Sequence, residues 1–384
     1  MLSRNGLVLA VLLGGGLAMG AEPGQIRIWL GMSRSLPSHV TVNWETTEPL
    51  PGVVHYGPTE ACALAAESAP AARHELEAPF PEQGDLFYRV QIGEATTPVY
   101  RVRNPNGAVL RVAVVADWQG KPDLSAVLRD DPQLLVTAGD NIARLWDAKH
   151  QGDKGNLDPY RQLVDRYPEL FRTIPVLPAL GNHDREILPR GDKRPPAPTY
   201  DPDATAFRQF FALPGDEWKW HLDLPGVGLR LIALDLNHTS DFGTTWQTCH
   251  AFAADSEQYR WCQELVADPA ARFVVTLQNE QNVAMRGKNG GIWEKLYRQG
   301  SAVVTGFGYF AERAEVEGIP YLNTSLSGKG AQYKDPKGVF LAGDDSYVLL
   351  TVTAAPAEAK LEIKSLAGQV LDTRALTPRA NRRP

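Results

Sequence analysis

The feature that most restricts the fold is a series of short, nearly continuous apolar runs beginning at residue 109. Segments 109–116, 134–138, 176–180, 229–234, 273–277 and 302–305 all have this character. A strand covered on both faces reads this way, because neither face can alternate with polar residues. Helix-compatible stretches lie between the runs, at 159–171, 256–266 and 293–299. Strands alternating with helices predict a layered α/β domain over 109–375, completed by strands near 347–352 and 360–364.

The preceding part differs. Over 24–105 the candidate strands are short and alternating (26–30, 40–44, 53–56, 86–90 and 99–102), with Pro49, Pro51, Gly57, Pro58 and Gly84 between them. That pattern predicts an all-β, immunoglobulin- or fibronectin-like sandwich serving as a structural module. Residues 1–20 read as a signal peptide: Arg4, an apolar stretch over 7–17, then Ala18-Met19-Gly20 before Ala21. The expected location is therefore periplasmic or extracellular. Residues 376–384 form a basic tail, expected to fray. A net charge of −6 gives no broad basic field for a nucleic-acid backbone. Past the N-terminus no apolar run approaches the ~18–20 residues of a membrane span. Three cysteines exclude a disulfide scaffold; Cys249 and Cys262 either pair or remain buried thiols.

Chemistry is suggested where the runs end. The first ends in Ala116-Asp117-Trp118-Gln119, the second in Ala138-Gly139-Asp140-Asn141, and the third in Leu180-Gly181-Asn182-His183-Asp184. Ligands of open α/β sheets gather at the carboxyl ends of strands, so these side chains should converge. Aspartates, an asparagine and a histidine at one focus suit a divalent cation with an imidazole beside it. A single aspartate after a strand is ordinarily a helix cap; three in succession point to a site.

These motifs resemble those of the calcineurin-like metallophosphoesterases, and within them the purple acid phosphatases. Gly181-Asn182-His183-Asp184 and Gly139-Asp140 match, and a β-sandwich before the catalytic domain is the purple acid phosphatase arrangement. The departures are equally definite. The family's Asp-x-His is Asp117-Trp118-Gln119, its later strand-end histidine falls at Gln278, its Gly-His-x-His reads Gly306-Phe307-Gly308-Tyr309, and a tyrosine after Gly-Asp is Ala143. No histidine follows His250, so no shift of register restores the imidazoles.

Carried over residue by residue, the resemblance implies metal ligands at Asp117, Gln119, Asp140, Asn182, Gln278 and Tyr309. Amide oxygens are weak neutral donors, and zinc prefers imidazole or thiolate. The remaining set is oxygen-rich and suits Mn²⁺, Mg²⁺ or Ca²⁺, or iron through a Tyr309 phenolate, with at most one weakly held ion. His183 would protonate the leaving oxygen, Asp184 would orient His183, and Asn141, Arg185 and Arg190 would meet a small phosphorylated or other anionic substrate. Lys193 and Arg194 extend that basic segment, whose bland reading is a solvated loop. Glu280 and His238 are replacement ligands or loop-bonding residues.

Two functions follow. One is an exported phosphoric ester hydrolase with a depleted metal site. The other is an inactive pseudophosphatase that binds a ligand or partner in a more aromatic cavity. Gly306 to Ala311 also fits a dinucleotide-binding pattern, but Gly318 and Pro320 leave no room for the helix it needs. The sequons at Asn237 and Asn323 matter only in a eukaryotic secretory host.

Overall fold

A computed structural model describes residues 26–191, 198–242, 249–330 and 333–379. Residues 1–20, read above as a signal peptide, and Lys193 and Arg194 lie outside these residues. The N-terminal part comprises β1 (Arg27–Gly31), β2 (His39–Gly57), β3 (Leu64–Pro79), β4 (Leu86–Ile92), β5 (Ala95–Thr96) and β6 (Tyr100–Val102). All six join one hydrogen-bonded sheet instead of the two separately paired sheets expected. The cause is β2, which runs through Pro49 and Pro51 with register shifts between Glu45 and Gly52. One half of it pairs with β1 and the other with β4. Ile28, Val42 and Trp44 thereby share a core with Val54, Tyr88 and Val102. The alanine-rich β3 was not legible as a strand; pairing along β2 makes it one.

The α/β part continues with β7 (Val109–Val115), α1 (Ser125–Arg129), β8 (Leu134–Thr137), α2 (Asp158–Arg166), α3 (Pro168–Thr173), β9 (Val176–Leu177) and α4 (Thr205–Phe210). Next come β10 (Trp220–Leu224), β11 (Leu229–Ala233), α5 (Glu257–Ala267), β12 (Phe273–Gln278), α6 (Asn282–Gly287), α7 (Ile292–Tyr297) and β13 (Ala302–Thr305). The chain closes with β14 (Ala311–Val316), β15 (Ile319–Asn323), β16 (Gly338–Ala342), β17 (Ser346–Thr353), β18 (Glu358–Ser365) and β19 (Val370–Leu376). The single helix expected over 159–171 is two, because Pro168 disfavours helical backbone at Tyr167 before it.

Two sheets result, ordered β19-β18-β17-β7-β8-β9 and β10-β11-β12-β13-β15-β14-β16. One core joins them: Val112, Val114 and Leu135 from the first with Leu231, Val275, Leu277 and Val304 from the second. A second core lies on the other face of the longer sheet, where Val274 and Val303 meet Cys262, Met285, Trp293 and Tyr297 of α5–α7. Strands β7, β8 and β9 are mutually parallel, as are β11, β12, β13 and β15, so each set ends together.

Several local expectations change. Cys62, Cys249 and Cys262 are all buried free thiols. The Asn237 and Asn323 side chains are buried and hydrogen-bonded, the first to Asp235 and the second to Phe307 and Phe310, so neither is open to a glycan. The tail does not fray at its start: Arg379 donates to the carbonyls of Asp268 (2.9 Å) and Ala271 (3.2 Å). No described helix is long and apolar enough to cross a membrane.

The two parts are joined by Trp29, buried and stacked on Phe210 with ring centroids 4.5 Å apart. Arg27 meets Asp165 and Arg161 meets Glu45 around it. Trp29→Ala should cost about 3–5 kcal/mol, the usual loss for a buried aromatic. Chemical denaturation of the full chain measures this, and a loss under about 1 kcal/mol would mean that the junction is not a packed core.

Candidate functional site

The carboxyl ends of β7 and β8 place two aspartates side by side. Both have left-handed backbone, with φ of +49° at Asp117 and +55° at Asp140. Aspartate tolerates that region better than most residues, and such strain persists only where the surroundings enforce it. Here the Asp117 amide donates to Gly139 O (3.0 Å) and the Trp118 amide to Asp140 O (2.6 Å). Space is equally restricted. A Cβ at Gly181 would sit 2.0 Å from Asp140 Oδ1, and Gly139 has φ of +87°. Only glycine fits either position: a side chain at 181 would displace the Asp140 carboxylate, and one at 139 would strike Asn279, 2.5 Å away.

Each aspartate accepts neutral donors. Asp140 Oδ1 accepts from the His183 amide (3.1 Å), and its Oδ2 accepts from Gln119 Nε2 (3.1 Å). Asp117 Oδ1 accepts from Asn279 Nδ2 (3.4 Å), while its Oδ2 is buried without a partner. Burial, and after it the charge of Asp140, push the Asp117 carboxyl well above the usual range. Tyr309 donates to Gln119 Oε1 (3.4 Å), and burial plus the two aspartates push its phenol up to about 12. Asn182 is wholly buried, with neither side-chain polar atom hydrogen-bonded.

Asp117, Gln119, Asp140, His183 and Tyr309 thus lie together, and Asn182 sits between Gly181 and His183 with its side chain buried. Gln278 does not join them. Side chains alternate along β12, so Gln278 follows Val274 onto the helix-covered face, where it accepts from Tyr297 (2.5 Å) and donates to Asn282 (3.3 Å). Asn279 points inward in its place and ties the strand ends together through Asp117, Ala138 O (3.0 Å) and Gly306 O (2.7 Å). The alternation of 273–279 carried the signal for it.

Three other roles need correction. Asp184 does not touch the His183 ring. It is buried, accepts from Gly181 N (2.8 Å), Asn141 Nδ2 (3.0 Å) and Tyr160 (3.2 Å), and is raised to about 7 by burial and then by Asp140. The His183 ring is held by Ala143 O (2.5 Å at Nδ1) and Arg190 Nη2 (3.2 Å at Nε2). A carbonyl only accepts and a guanidinium only donates, so Nδ1 carries the proton and Nε2 accepts. Asn141 is buried, and its Nδ2 donates to Ala179 O and Asp184, so its N–H groups are not free for a substrate, while its Oδ1 has no partner. Arg185 is fully buried against Asp235 (2.8 Å) and Asn237 (3.0 Å). Arg190 alone of the proposed substrate residues faces the centre.

The two undecided residues also resolve. Glu280 accepts from the amide (2.7 Å) and hydroxyl (3.0 Å) of Thr239, bonding a loop. His238 lies beside Phe307 with ring centroids 5.3 Å apart, and burial, then Arg190, lower it to about 3.

Among the described residues no three His, Cys, Asp or Glu side chains are grouped to hold a metal ion. The donor set does not fit a two-metal centre, because Gln119 turns its amide N–H, not its oxygen, towards Asp140 and Phe307 has no donor atom. Among the described residues, Asp117 Oδ2, Asp140 and the Tyr309 hydroxyl are the oxygens at the centre, with Asn182 Oδ1 buried nearby in the chain, a set for one hard cation at most.

The Arg185–Asp235 pair behind the site sets a pH dependence. Burial raises the Asp235 carboxyl, but Arg185 and the hydrogen bond from His250 outweigh it and bring it down to about 2. A depressed carboxylate contributes stability above its unfolded value near 4, and that contribution is lost as pH falls towards about 2. Asp235→Asn strands a buried guanidinium and should cost about 3–5 kcal/mol at neutral pH. Urea unfolding at neutral pH and near pH 3 should show the deficit shrinking on acidification; a deficit independent of pH would refute this assignment.

Residues 110–299 match the calcineurin-like phosphoesterase family. Among solved structures, GAP50, the anchor in the inner membrane complex of Plasmodium, is 14% identical, with 71% of this chain and 90% of that one covered and a TM-score of 0.43. Vps29 of Entamoeba histolytica complexed with zinc is 13% identical, covering 70% of this chain and 99% of that one at a TM-score of 0.31. Vps29 of Cryptosporidium parvum is 12% identical, covering 71% and 100% at 0.34. Among curated proteins none matches in sequence.

Proposed function

We propose, from the premise that residues 110–299 are a calcineurin-like phosphoesterase domain, that this chain binds an anionic small molecule on that fold and does not hydrolyse phosphate esters by a two-metal route. Proteins of this family normally hold divalent metal ions, whose chemistry is to activate water and offset charge on the phosphoryl group. The observation that carries the proposal is the hydrogen bond from Gln119 Nε2 to Asp140 Oδ2. It puts a neutral donor where a cation would need an acceptor. The tautomer of His183 supports the same reading. A general acid must present a proton to the leaving group, and Nε2 presents a lone pair to Arg190. The likeness to purple acid phosphatases rests on motif order and the preceding β-sheet part, and implies ancestry, not turnover. Export, read from residues 1–20, belongs to the same proposal, and the mature protein should begin at Ala21.

A second reading has one observation in its favour. Asp117 Oδ2 and Asn182 Oδ1 are buried without partners, and such oxygens suit one weakly held Mg²⁺, Mn²⁺ or Ca²⁺. Three measurements test the proposal, and the second and third separate it from the one-ion reading. Purified chain should hold less than one equivalent of zinc or iron by elemental analysis. Its melting temperature should not move with a chelator. With Mn²⁺ or Mg²⁺ present, turnover of an aryl phosphate should not exceed that of His183→Ala. Rapid turnover abolished by chelation, or two tightly bound metals, would refute the proposal.

The hydrogen bond itself can be tested by deletion. Gln119→Ala removes a donor to a buried carboxylate and should destabilise the chain by about 1–3 kcal/mol. Gln119→Glu should be worse, because it sets a third carboxylate beside two. If both variants melt with the parent, the amide is not what holds Asp140.

A further inference from the structure

Beside the carboxylate pair a cleft of about 370 Å³ opens between the loops following β7 and β8 and the side of α2. The volume suits one ring with one or two substituents, at the small end of ligand sites. Its charge is unbalanced. Lys121, Arg144 and Arg166 line it, and none of them forms an ion pair among the described residues. The two carboxylates that share the cleft are already engaged. Asp147 accepts from the amides of Lys149 and His150 and from the His150 ring, and Asp158 pairs with Arg161 at 2.9 Å.

The cleft also carries a flat aromatic surface fixed in place. Trp146 donates through Nε1 to Glu186 Oε1 (3.1 Å), which holds its ring, and the Arg144 guanidinium lies 4.2 Å from that ring's centroid. Trp118 forms the inner wall, stacked on Phe171 with centroids 5.8 Å apart. At the end nearest the aspartates stands Asn141, buried, with its Oδ1 lacking a partner. A buried acceptor of this kind ordinarily has a partner.

Cations without counter-ions, a fixed indole and an unmatched acceptor together describe one class of ligand. We propose that the cleft binds a planar aromatic oxyanion, its phosphate or carboxylate groups on Arg144, Arg166 and Lys121 and its ring against Trp146. Guanidinium forks pair in bidentate fashion with either kind of oxyanion and also stack on aromatic faces, so both parts of the ligand meet the same side chains. A ring hydroxyl or amine beside the oxyanion would donate to Asn141. This inference rests on the reading that the chain binds an anion, and it assigns the ligand's place and class.

The test is calorimetric titration of the full chain, without added metal, with phenylphosphonate, phthalate and inorganic phosphate. The carbon–phosphorus bond of the phosphonate is not an ester, so the outcome does not depend on whether the centre is catalytic. At least one ring-bearing anion should bind, and binding should weaken about tenfold or more in Arg144→Ala/Arg166→Ala and by a smaller factor in Lys121→Ala. Preference for the phosphonate identifies a phosphate ligand, and preference for phthalate a carboxylate. No heat from either ring anion at ~1 mM, inorganic phosphate binding as tightly as both, or unchanged affinity in the double variant would overturn the assignment. A chelator-sensitive phosphatase rate in the same preparation would instead refute the non-hydrolytic reading and leave these titrations standing.

Discussion

The centre depends on two carboxylates brought together in a place where water cannot reach them well. Asp117 and Asp140 end adjacent parallel strands, both are nearly or wholly buried, and both have left-handed backbone. Like charges in such a place repel strongly, and the surroundings must supply either a cation, a proton or hydrogen bonds. This chain supplies hydrogen bonds: Gln119 and the His183 amide to Asp140, and Asn279 to Asp117. Burial, and after it the charge of Asp140, push the Asp117 carboxyl well above the usual range.

Those donors explain features that seem unrelated. Gly181 is required because any side chain would strike Asp140, and the resulting close approach lets the His183 amide reach Oδ1. Asn279 holds the ends of β8 and β13 as well as Asp117, so it fastens one sheet to the other across the centre. Behind them Asp184 gathers Gly181, Asn141 and Tyr160, and Arg185 is sealed against Asp235. The strand ends that carry the two aspartates are therefore held by hydrogen bonds from neutral amides and by packing behind them.

The uncompensated positive charge lies beside the centre, not within it. Arg185, which the sequence offers as a clamp, is internal, whereas Arg144 and Arg166 were unremarkable among surface arginines. Arg190 spans the difference: it reaches Glu186 at 3.3 Å and the His183 ring at 3.2 Å, tying the basic loop to the imidazole. A ligand held in the cleft would sit next to that loop.

By itself the sequence determined the layered α/β class and the placing of Asp117, Asp140 and His183 at one edge of the sheet. Buried parallel strands need apolar runs, and the residues that end them must fall at one edge of the sheet. It also determined that no histidine follows His250, since composition is independent of folding. Tertiary structure decided the rest. Whether β2 was one strand or two depended on its partners, and whether Gln278 or Asn279 faced the centre depended on one step of strand alternation. The tautomer of His183 and the orientation of the Gln119 amide were set by Ala143, Arg190, Asp140 and Tyr309, which are distant in sequence. An amide has a donor end and an acceptor end, and only its neighbours in space decide which one a carboxylate meets.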